Sequence, residues 1–118
     1  MTGREKHRIL CVSRSPFQLR EMRSAFPARE YEVFTVSTPE QAVAVCLNNK
    51  VAAVVLDSEF STEAGWSAAQ TLKMVNPQLP VMLLLKSAEG CVPCGVDAVV
   101  PSHFHILPKL KGLLEPQE

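Results

Sequence analysis

The sequence predicts one α/β domain in which a five-stranded parallel sheet carries helices on both faces. Three observations predict it. Short continuous apolar runs alternate along the chain with stretches whose apolar residues recur at helical spacing. Two of the runs, residues 51–56 (VAAVVL) and 80–85 (PVMLLL), are apolar throughout, which a strand needs only when both its faces are covered. The two clearest helix openings, Ser15-Pro16 and Thr38-Pro39, each follow a strand-like run, with a capping hydroxyl and then a proline at the first helical position. Strand followed by helix, repeated, implies right-handed crossovers and a parallel sheet.

The elements follow in order. Residues 7–12 (HRILCV) form the first strand, and Phe17, Met22, Ala25 and Phe26 make the buried stripe of a first helix that Pro27 ends. Residues 31–36 (YEVFTV) are rich in β-formers. Ala42, Val43, Val45 and Cys46 give the second helix its apolar face, and Asn48-Asn49 close it. The third strand is 51–56. From 62 to 75 the residues Ala64, Ala68, Ala69, Leu72 and Val75 mark a third helix, stopped by Asn76-Pro77. The fourth strand is 80–85 and a short fifth is 97–100 (DAVV). Ile106, Leu107, Leu110, Leu113 and Leu114 mark the last helix, with residues 109–111 placing lysines near its C-terminal end, where the helix dipole favours cations. Trp66, Met22, Met74 and Met82 are read as packing residues.

Composition narrows the function. A chain of 118 residues suits one domain spanning 1–118, with a core over about 8–114. Twelve basic residues balance twelve acidic ones, so no overall basic field draws the chain to nucleic acid. The longest apolar runs fall far short of the roughly 20 residues of a membrane helix. Residues 1–8 lack the apolar stretch of a secretory signal, so a cytoplasmic location is expected. Cys11 and Cys46 fall at core positions, where reduced cysteine acts as a small hydrophobe. There is no glycine-rich phosphate loop and no poised carboxylate pair, and an enzyme is not expected.

In open parallel sheets, ligands and chemistry gather at the carboxyl ends of the strands. Here those ends carry Ser13, Arg14 and Ser15 after the first strand, Asp57 after the third, Leu85, Lys86 and Ser87 after the fourth, and Pro101, Ser102 and His103 after the fifth. Asp57 follows six apolar residues and is the first charge met on leaving the sheet. A carboxylate there can attack phosphorus, bind a metal or cap a helix.

Ile9-Leu10-Cys11-Val12 before a polar turn, Val54-Val55-Leu56-Asp57, Leu79-Pro80-Val81-Met82 and Gly95-Val96-Asp97-Ala98-Val99-Val100 together resemble the response-regulator receiver (CheY-like) family, over residues 8–114. The resemblance implies a doubly wound, flavodoxin-like sheet of order 2-1-3-4-5, and a phospho-acceptor at Asp57 served by a histidine kinase. It also implies further parts: two acids after the first strand that help hold Mg²⁺, a Thr or Ser ending the fourth, and a Lys after the fifth. This chain has Ser13 and Arg14, Leu85, and Ser102-His103 at those places. One carboxylate beside a guanidinium is a poor offer to Mg²⁺, so binding should be weak or absent. Arg14 is placed either to pair with Asp57 or to point to solvent. Lys86 and Ser87 restore an ammonium or hydroxyl if the register shifts by a residue or two. The stretch between Leu85 and Gly95 is shorter than receivers use for their fourth helix, so that helix is expected to be reduced.

The expected function is therefore a non-catalytic, receiver-like protein-interaction module, monomeric or weakly dimeric, that meets a signalling protein such as a histidine kinase or an output domain. Two other readings compete. Asp57 could still accept a phosphoryl group. Alternatively, Cys91-Val-Pro-Cys94 could act as a dithiol, or join His103 and His105 in a tetrahedral zinc site. Against the dithiol, no clear helix begins at Cys91 to activate it. Against zinc, the His-X-His spacing is shorter than zinc sites of this kind use.

Overall fold

The computed structural model describes residues 6–57, 63–85 and 96–114, apart from the side chains of 63–68, His103 and Leu114. The strands are β1 (His7–Val12), β2 (Tyr31–Val36), β3 (Ala53–Leu56), β4 (Val81–Leu84) and β5 (Ala98–Val100). The helices are α1 (Pro16–Ser24), α2 (Pro39–Asn48), α3 (Glu63–Val75) and α4 (Ile106–Leu114), the last preceded by a 3₁₀ turn at His103–His105. The strands form one parallel sheet in the order β2-β1-β3-β4-β5. Both the parallel sheet and the strand order agree with expectation.

Side-chain alternation along the strands divides the core into two layers. Ile9 and Cys11 of β1, Val55 of β3 and Met82 of β4 face Met22 and Phe26 from the α1 side and Ile106 and Leu110 of α4. Leu10, Val12, Val54, Leu56 and Leu83 face the other way, onto Ala42 of α2 and Ala69 and Leu72 of α3. All four residues of β3 and all four of β4 are buried, which is why both runs are apolar throughout.

The helix openings form as their sequences dictate. Ser15 Oγ accepts a hydrogen bond from the Gln18 amide at 3.2 Å, and Thr38 Oγ1 accepts from the Gln41 amide at 3.2 Å. Each satisfies one of the orphan donors of a helix's first turn. Gln41 Oε1 reaches back to the Ser37 amide at 2.9 Å. The strands β3, β4 and β5 come out shorter than the apolar runs that predict them, although Val51 remains buried outside its ladder.

Two packing expectations are corrected. Phe17 is 61% exposed and Met74 is 83% exposed. At about 100° per residue, Phe17 lies roughly 140° around α1 from Met22, and Met74 roughly 160° around α3 from Leu72. Each therefore points away from the stripe that buries its helix.

Asp97 explains the Gly-X-Asp pattern ahead of β5. Its Oδ2 accepts from the Val81 amide at 2.8 Å and from Lys73 Nζ at 2.7 Å, and Lys73 also donates to the Leu79 carbonyl at 2.7 Å. One carboxylate thus ties the amino ends of β4 and β5 to the end of α3. No helix among the described residues is long and apolar enough to cross a membrane.

Candidate functional site

The carboxyl end of the sheet brings Ser13 and Asp57 together from positions 44 residues apart. Val12 lies in register with Leu56, and the ladder runs one residue further: the Asp57 amide donates to the Val12 carbonyl at 3.0 Å, and the Ser13 amide to the Val36 carbonyl at 3.1 Å. Ser13 therefore lies level with Asp57 on the neighbouring strand. Ser13 is 0% exposed and Asp57 only 4%.

Ser13 Oγ donates to Asp57 Oδ2 at 2.7 Å, a short distance typical of a hydroxyl bonded to a carboxylate. The same oxygen accepts from the Ser15 amide at 3.0 Å. Ser15 in turn caps α1, so a continuous run of hydrogen bonds joins the Asp57 carboxylate to the start of that helix. Sequence reading placed Ser13 at the site and Ser15 at the cap. The Ser-X-Ser spacing carries the signal of the link between the two, since a serine hydroxyl readily meets the amide two residues on.

The remaining candidates divide. Arg14 is exposed, one residue beyond Ser13. Leu85 is half-buried and packs against the layer on the α2 and α3 side, while its amide donates to the Val100 carbonyl at 2.9 Å. The position at which the resemblance leads one to expect a hydroxyl thus carries a packed aliphatic side chain. Ser102 Oγ lies 2.8 Å from His105 Nδ1, and the His105 amide donates to the Ser102 carbonyl at 3.0 Å. Both of these contacts turn Ser102 toward the turn that opens α4. Lys86, Ser87, Cys91 and Cys94, the reduced fourth helix, and the side chains of Trp66 and His103 lie outside the described residues. The dithiol and zinc arrangements fall there with them.

No family model and no curated protein matches the chain. Solved structures do. The signal receiver domain of an HD domain-containing protein from Pseudomonas fluorescens superposes with a TM-score of 0.79 at 15% identity, covering 97% of this chain and 90% of that one. The receiver domain of a sensor histidine kinase from Pseudomonas aeruginosa, solved with magnesium coordinated in its active-site cleft, gives 0.79 at 18% identity, covering 93% and 98%. The response regulator TrrA of Thermotoga maritima, solved with Mg²⁺-BeF, gives 0.78 at 22% identity, covering 92% and 99%. In sheet order, crossover pattern and nearly full-length superposition, this chain has the fold of the CheY-like response-regulator receiver domains.

Proposed function

We propose that the chain is a divergent receiver-type signalling module that works through contacts with a protein partner, without the Mg²⁺-dependent aspartyl phosphorylation of conventional receivers. The observation that carries this reading is the buried 2.7 Å hydrogen bond from Ser13 to Asp57. Mg²⁺ demands hard anionic oxygens in a near-octahedral array. Asp57 offers one carboxylate, and one of its oxygens already accepts a hydrogen bond from the Ser13 hydroxyl. The exit of β1 adds a hydroxyl and a guanidinium where two carboxylates would be needed. These residues do not fit the ion.

Phosphoryl transfer depends on positioning and on neutralising charge over the equatorial oxygens. Leu85 has no hydrogen to donate to those oxygens, and the hydroxyl of Ser102 is turned to His105. Among the described residues, what these ends of the strands offer is one buried carboxylate held by a hydroxyl, which suits a module recognised by proteins better than a centre that turns over. A histidine kinase or an output domain is the class of partner that this fold implies.

Incubation of the intact chain with a small-molecule phosphodonor and Mg²⁺, read by intact mass, tests the proposal. No phosphoryl adduct is expected. A stoichiometric, base-labile adduct that disappears in Asp57→Asn would establish the competing reading, in which Asp57 remains a phospho-acceptor.

A further inference from the structure

Seven of the twelve basic residues lie in the first 29 positions, against two of the twelve acids, so neutrality of the whole chain hides a local excess of positive charge. Part of that excess converges at the amino end of the sheet. Lys6, His7 and Arg8 from the start of β1, with Lys50, Val51 and Ala52 from the approach to β3, line a cavity of about 280 Å³. The Ala52 amide donates to the Arg8 carbonyl at 2.7 Å, which fixes the two segments side by side. None of the lining residues is acidic.

The ordinary explanations of these cations leave most of the charge unspent. Arg8 meets Glu32 through Nε at 3.4 Å, long for a charge-assisted bond, between side chains 43% and 51% exposed. Lys6 and Lys50 have neither an ion-pair nor a hydrogen-bond partner among the described residues. Lys50 follows α2, where a lysine ordinarily serves the last carbonyls of a helix. That work is done instead by Asn48, which donates to the Ala44 carbonyl at 2.8 Å, and Asn49, which donates to the Val45 carbonyl at 3.1 Å. The His7 ring lies against Tyr31, with centroids 5.7 Å apart, so that side chain is taken up by packing and the charge at the cavity comes from Lys6, Arg8 and Lys50.

We propose that this cavity binds a phosphate group, either the free ion or a phosphate monoester. Three cations from two neighbouring segments, Lys6 and Arg8 on one and Lys50 on the other, match a compact dianion whose oxygens point in several directions, and lysine serves phosphate as a mobile point charge. The site is separate from Asp57. The six residues of β1 put the two ends of the sheet about 20 Å apart.

The test is titration of the ¹⁵N-labelled chain with inorganic phosphate, with glycerol phosphate, and with chloride at matched ionic strength, followed by amide NMR. Both phosphates should give saturable shifts centred on residues 6–8 and 50–52, and chloride should not. If the monoester binds more tightly, the source is a phosphorylated metabolite; if the inorganic ion does, it is free phosphate. Lys6→Gln with Lys50→Gln alters two exposed side chains, and retained spectral dispersion verifies its fold. Each charge removed beside a bound anion is worth about fivefold, so the pair should bind roughly 25-fold more weakly. Shifts that never saturate, that chloride reproduces, or that persist unchanged in the double variant would overturn the assignment.

Discussion

Replacing Ser13 by aspartate tests the site most directly, because it sets a second carboxylate against Asp57 at a place where both residues are buried and now lie 2.7 Å apart. Two unit charges about 4 Å apart repel by about 4 kcal/mol at an effective dielectric of about 20. The chain can instead keep one carboxylate protonated. From an ordinary value near 3.9, that costs about 1.4 kcal/mol per pH unit, again about 4 kcal/mol at pH 7. The two routes set the same ceiling, and Ser13→Asn, similar in size but uncharged, measures the steric part. The added carboxylate also supplies the anionic oxygen that Mg²⁺ lacks. An ion bound only by the folded state returns about 2.7 kcal/mol at a hundred times its dissociation constant. Urea denaturation at pH 7, with chelator and with excess Mg²⁺, reads all of this. The natural chain and Ser13→Asn should ignore Mg²⁺, whereas Ser13→Asp should be the least stable without the ion and partly recover with it. A natural chain stabilised by Mg²⁺, or a Ser13→Asp variant indifferent to it and as stable as Ser13→Asn, would refute the reasoning.

Three further outcomes follow from other parts of the fold. Asp97→Ala removes the acceptor of both Lys73 and the Val81 amide and should cost about 2–3 kcal/mol. Lys73→Met should cost only about 1 kcal/mol, because that ion pair is partly exposed and screened by solvent; urea midpoints in the reverse order would contradict the network. Burial pushes the Cys11 thiol up to about 12, against a smaller lowering by Arg23. The unfolded chain therefore ionises this thiol first: the stabilising contribution is full below pH 9 and falls by about 1.4 kcal/mol per unit as pH rises toward 12. The difference between the natural chain and Cys11→Ala isolates that slope from other groups, including Cys46, whose thiol burial also raises; a difference flat from pH 9 to 11 would contradict it. Finally, a Cβ added at Gly112 in α4 meets nothing within 4 Å. Gly112→Ala should raise stability by about 0.5–1 kcal/mol, and a lower thermal midpoint would show that this position needs glycine.

The sheet was legible because its signal is local. Six apolar residues before Asp57 can be read without knowing their neighbours, and they call for burial on two faces. The caps at Ser15 and Thr38 are local too, spanning three residues each. Helix phase was less legible. Phe17 and Met74 are apolar residues on outward faces, and one-sided periodicity assigns such residues inward unless the phase is fixed by a buried neighbour. The site was half legible. Its members follow from the ends of the strands, but the bond from Ser13 to Asp57 depends on the register of β1 against β3. A shift of one residue would have turned either side chain to the opposite face. Ser102 appeared in sequence as a pocket residue because it follows β5; its bond to His105 depends on the 3₁₀ turn, which short-range pattern did not foretell.

A hydroxyl at Ser13 and a buried carboxylate at Asp57 suit each other energetically. A buried carboxylate with no partner carries a penalty of several kcal/mol, so it persists only where donors or a cation meet it. Acids at the exit of β1 would add charge of the same sign and leave a cation as the remedy. A hydroxyl there removes that repulsion and donates a proton to Asp57 Oδ2. The same hydroxyl is itself held in place by the Ser15 amide, so the donor is aimed before any partner arrives. The end of the sheet is thereby given a stabilising contact that needs no ion. That independence of an ion is what the proposed contact-only module requires, and the response of the Ser13 variants to Mg²⁺ measures it directly.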